Sequence, residues 1–105
     1  MTEYNLVLCT VNSRDLANNI AKSLVSEKLA ACVNISENIT SVYTWDNKVV
    51  EDNEILLIIK SKKSLFPMVE SKIKQLHTYD VPEIISIDIQ EGSEDYLKWL
   101  NQSVQ

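Results

Sequence analysis

The chain has 105 residues and a mass of 12.0 kDa, enough for one core that buries roughly 65% of the unfolded surface and too little for two. A net charge of -5 with a single arginine, Arg14, excludes the clustered cations of a nucleic-acid binder, and a single glycine, Gly92, excludes glycine-rich phosphate loops. No apolar run has the length of a membrane-crossing helix, so no membrane partner is expected.

Met1 to Asn5 carry no basic segment ahead of the first strand-like run, and Cys9 and Cys32 both sit in apolar stretches. Together these give the expectation of a cytoplasmic protein with reduced thiols. Residues 4–11 read as a strand closed by Asn12-Ser13, with Ser13 as the N-cap of a helix over 14–28. Leu16, Ile20 and Leu24, flanked by Ala17, Ala21 and Val25, form its apolar stripe. From Ala31 to Trp45 the odd positions Val33, Ile35, Ile39, Tyr43 and Trp45 are apolar, which predicts a strand with one buried face. Glu37 breaks the alternation and marks a bulge. Asp46-Asn47 makes a two-residue turn, placing Trp45 opposite Lys48 and Tyr43 opposite Val50.

The returning arm ends in Ile55 to Ile59, apolar on both faces. Ser64 is expected to cap a second helix, with Pro67 in its first turn and Leu65, Phe66, Val69, Ile73 and Leu76 on its buried stripe. After a loop at 78–83, Ile85, Ile87 and Ile89 alternate with polar residues in a last strand over 84–90, and Gly92-Ser93 opens a short helix at 94–101.

This order is the split-βαβ plan of one α+β domain over residues 1–105, with sheet order 4-1-3-2 and a long hairpin protruding from it. Patterning agrees, because the two strands expected at the centre are apolar on both faces while the expected edges alternate. Both main helices cover one face, leaving only the short last helix for the other. Several large aliphatics left wet, each worth roughly 1.5–3 kcal/mol on burial, predict that further copies of the chain cover the rest. Hairpin arms of about 14 residues would reach about 46 Å, beyond a compact body, so Tyr43 and Trp45 near the tip are expected at an interface. Tyr96 and Trp99 make the last helix apolar on most sides and are expected there too.

Candidate chemistry is sparse. The chain has one histidine, His77, near a helix end, and no nucleophile with base and orienter at a convincing spacing, so no enzyme is expected. Cys9 lies in a central strand and reads first as a small hydrophobe. Cys32 is two strand spacings away, beyond disulfide reach. Tyr79, Pro82 and Glu83 occupy the loop into the last strand, while Glu51, Asp52 and Glu54 read as a solvated hairpin edge.

Leu8-Cys9-Thr10, the run from Glu27 to Ile35, Ser41-Val42-Tyr43-Thr44-Trp45, the run from His77 to Glu83, and Tyr96-Leu97-Lys98-Trp99-Leu100 together resemble the CutA divalent-cation tolerance proteins, from about residue 5 to 102. The resemblance implies a ferredoxin-like fold, a homotrimer, a response to metal ions without catalysis, and no required cofactor. It also implies divalent cations as partners, with copper at Cys9 and His77. Here Leu76 replaces a second histidine, Thr78 a proline, and Asn47 the usual turn glycine. The runner-up is a trimeric signalling module resembling the PII proteins, with a small effector between subunits.

Overall fold

The structure is a computed structural model that describes residues 3–105; Met1 and Thr2, the first residues read for a leader segment, lie outside the described residues. Its elements are β1 (Tyr4–Val11), α1 (Arg14–Ser26), β2 (Cys32–Trp45), β3 (Lys48–Lys62), α2 (Phe66–Leu76), β4 (Ile85–Asp88) and α3 (Glu94–Ser103). The sheet order β2-β3-β1-β4 is the expected 4-1-3-2 read from the other edge, and every pairing is antiparallel.

On one face, Val7, Cys9 and Val11 of β1 and Leu57 and Ile59 of β3 are fully buried with Ile20 and Leu24 of α1 and Val69 and Ile73 of α2. The periodicity of these residues brings the layers together, since strands bury alternate residues and helices every third or fourth. Ser13 caps α1 as expected, its Oγ accepting from Leu16 N at 3.2 Å. The helix stops two residues earlier than its pattern suggested, because Lys28 turns to φ 59 and ends the ladder. Ser93 caps α3 in the same way, accepting from Tyr96 N.

Ser64 does not cap α2. β3 runs straight into a single 3-10 turn, Lys63–Leu65, and Lys63 N is taken by Glu3 O at 2.8 Å, so the entry is held by backbone rather than by a hydroxyl. β4 is shorter than expected, four residues, although Ile89 N still bonds Tyr4 O at 3.0 Å.

The largest departure lies in β2. Glu37 and Asn38 together face the single residue Ile55, so the ladder steps from Ser36↔Leu56 to Ile39↔Glu54. Asn38 takes φ 62, and Glu37 turns out to pair with Arg14 at 3.1 Å. The extra residue inverts the phase: Val33 and Ile35 lie on the helix-covered face, whereas Ile39, Tyr43 and Trp45 lie on the other. The odd positions therefore do not share one buried face. Beyond the bulge, Trp45↔Lys48 and Tyr43↔Val50 pair as read, and Asp46 and Asn47 both hold positive φ, as the tight hairpin turn requires.

The second face carries Leu6 and Leu8 of β1, Leu56 and Ile58 of β3, and Ile85 and Ile87 of β4. The first four are half-buried, while Ile85 and Ile87 are 48% and 45% exposed. α3 contacts β3 and buries Leu100 fully, while Ile85 and Ile87 of β4 stay exposed. The long axis measures 44 Å against 25 and 23 Å across, and Trp45 near the hairpin tip is 59% exposed.

Candidate functional site

An open cleft of about 950 Å³ lies where the hairpin leaves the sheet, lined by Thr10, Tyr43, Trp45, Glu54, Tyr79 and Glu83 among others. Glu54 follows Leu56 and Ile58 at period two, so the strand turns it onto the same face as those aliphatics. Only 8% of it is exposed, which corrects its reading as part of a solvated edge. A buried carboxylate needs donors, and the Tyr79 hydroxyl supplies one to Oε2 at 2.7 Å. Burial first, and then this bond to Glu54, push the Tyr79 hydroxyl above the usual phenol range. At the cleft mouth the Tyr43 hydroxyl donates to Asp52, and that bond likewise raises it.

Tyr79 is held in turn by His77. The imidazole Nε2 lies 2.8 Å from Thr10 O in β1, and Tyr79 N donates to Nδ1 at 3.1 Å. The two rings also touch, with centroids 4.5 Å apart and planes tilted by 44°. His77 is the residue that ends α2, its own N–H closing the last turn on Ile73 O at 2.8 Å. The turn thus delivers the ring to β1 and to the loop at once.

Cys9 lies one residue before Thr10 but on the opposite side of the sheet from the cleft, in the core. Its Sγ is 3.8 Å from Thr10 O, so Cys9 and His77 converge on one carbonyl from two directions. Burial, followed by the charges of Glu83 and Glu54, pushes the Cys9 thiol up to about 12. Copper takes a thiolate and a free imidazole lone pair. As placed in the subunit, Cys9 offers a buried thiol, His77 offers no unengaged nitrogen and Leu76 offers no donor, so this set does not fit a copper ion. Among the described residues, no three His, Cys, Asp or Glu side chains group as a metal-holding cluster.

Cys32 is a free, half-buried thiol on the second face, opposite Lys60, while Cys9 pairs with Leu57 on the first. Tyr43 and Trp45 sit at the hairpin and Tyr96 and Trp99 on α3, all four exposed, with the latter two rings 5.5 Å apart. The residue missed from sequence is Glu54; its phase with Leu56 and Ile58 was the signal that would have found it. The bond between His77 and Thr10 joins positions 67 residues apart and has no local signature.

A family profile described as CutA1 divalent ion tolerance protein matches residues 5–103. The divalent-cation tolerance protein CutA of Thermus thermophilus is 49% identical over 98 residues, covering 93% of this chain and 95% of that protein. The chloroplastic protein CutA of Arabidopsis thaliana is 47% identical over 100 residues, 95% of this chain, which spans 55% of that longer protein. A solved divalent cation tolerance protein of Thermus thermophilus superposes with TM-score 0.95 at 47% identity, covering 97% of this chain and 99% of that one. The crystal structure of CutA1 from Oryza sativa gives TM-score 0.96 at 44% identity, covering 99% and 95%.

Proposed function

Because the chain belongs to the CutA1 divalent ion tolerance family, we propose that it is a non-catalytic protein of divalent-cation tolerance that works as a homotrimer in the cytoplasm. The observation that carries the assembly is the second sheet face, where Ile85 and Ile87 stand half-exposed beside Leu6, Leu8, Leu56 and Ile58. Six large aliphatics side by side form a patch of the kind that drives association, and further copies of the chain are its simplest cover. The number three is what the resemblance to the family implies. No helix among the described residues is long and apolar enough to cross a membrane.

Divalent cations are the proposed ligands, copper among them. Coordination by Cys9 and His77 would first require the Cys9 thiol to ionise and a His77 hydrogen bond to break. Light scattering tests the assembly: three copies of the 12.0 kDa chain are expected at micromolar concentration, and a monodisperse single copy overturns it. A thermal-shift screen with divalent metal salts and common metabolites tests the ligand class, since whatever binds only the folded state raises its melting temperature. A shift from an anionic metabolite alone would transfer the reading to an effector-binding trimer.

A further inference from the structure

The two partners of the His77 ring leave it a single protonation pattern. A carbonyl oxygen only accepts, so Nε2, 2.8 Å from Thr10 O, carries the proton. A backbone N–H only donates, so Nδ1, 3.1 Å from Tyr79 N, presents its lone pair to that proton. The ring is neutral, in one tautomer, with both nitrogens spent. Metal-bound histidines also commonly give their distal N–H to a carbonyl, so the contact to Thr10 by itself does not decide the matter. The deciding contact is the Tyr79 N–H, which occupies the only lone pair a cation would use.

We infer that His77 is a positioning residue that clasps β1 to the loop after α2 and sets the Tyr79 hydroxyl against Glu54, and that it is not a metal ligand of the folded subunit. One continuous chain of contacts runs from Thr10 O through the imidazole to Tyr79 N, and from the Tyr79 hydroxyl to the Glu54 carboxylate. Its two ends lie on the neighbouring central strands β1 and β3, while its middle is carried by a loop that has no strand partner of its own. The ring contact at 4.5 Å adds a second constraint on the Tyr79 side chain. Without the clasp, the tyrosine that donates to Glu54 loses its backbone bond and its ring contact to His77. The clasp lies within one subunit and requires neither trimerisation nor a cation bound elsewhere.

Nitrogen-15 spectra of the intact protein labelled at histidine read the tautomer directly: a protonated Nε2 and an unprotonated Nδ1 are expected, with both resonances unmoved by one equivalent of zinc(II). His77→Ala should lower the hydrogen-exchange protection of the Tyr79 amide by about tenfold, the scale of one lost hydrogen bond. His77→Asn, whose side-chain carbonyl can accept at the Nδ1 position, should restore it. A zinc-induced shift of Nδ1 at stoichiometric metal, or a Tyr79 amide as protected in His77→Ala as in the wild type, overturns the inference. The spectra of the unsubstituted protein decide the question even where His77→Ala fails to fold.

Discussion

The state of Cys9 can be tested through its reactivity. Thiolates, not thiols, attack disulfide reagents, so the rate at a given pH follows the ionised fraction. Burial and the neighbouring Glu83 and Glu54 carboxylates raise this thiol from 9.0 to about 12, which lowers the thiolate fraction at pH 8 by about a thousandfold. In Cys32→Ala, where Cys9 is the remaining cysteine, labelling by an aromatic disulfide at pH 8 should be at least about a thousandfold slower in the native protein than in urea. The same rise fixes a stability profile. Because the folded value lies above the unfolded one, the contribution is whole below pH 9.0 and is lost as pH climbs toward about 12. At about 1.36 kcal/mol per unit the full loss is of order 4 kcal/mol, so urea midpoints should fall over that window more steeply in the wild type than in Cys9→Ser. Native labelling within about tenfold of the unfolded rate would refute the assignment of Cys9 to a sealed core.

Tyr79→Phe leaves the Glu54 carboxylate buried without its phenol donor and should cost about 1–3 kcal/mol in urea titration at neutral pH; an unchanged midpoint would refute the role given to this bond. That variant should also lose part of the alkaline destabilisation, since the raised Tyr79 hydroxyl contributes stability below pH 10.0 that fades above it. Asn38 holds φ 62, so Asn38→Val should destabilise by about 1–2 kcal/mol while Asn38→Gly stays near neutral, as read from thermal melts. Ile87→Glu places a charge in the exposed patch of β4 and should move the scattering mass toward one 12.0 kDa copy with the circular-dichroism spectrum preserved.

Element order, sheet order, the Ser13 cap and the opening of the last helix at Gly92-Ser93 were legible in the sequence because each depends on local periodicity or a local turn signal. The bulge was legible as an interruption at Glu37, but its consequence was not. Alternation reads identically on either side, and only the ladder shows that two residues face one. The expectation of a Ser64 cap failed because a strand that continues to Lys62 hands its backbone directly to the next turn, leaving the hydroxyl nothing to satisfy. The candidate site was legible in its parts, Cys9, His77 and Tyr79, and illegible in its wiring. Which lone pair His77 spends depends on Thr10, which the fold brings to it from a distant strand.

The bulge at Glu37 and Asn38 divides β2 into two stretches with opposite parity. On β2, an odd-numbered residue upstream of the bulge faces the helix-covered core, whereas one downstream, such as Tyr43 or Trp45, faces the other side of the arm. Adding a matched pair of residues to each strand past that point would lengthen the arm by roughly 7 Å without moving a single interior contact. Reach and robustness are thereby decoupled, so mutations could retune how far the arm extends while the body keeps its stability.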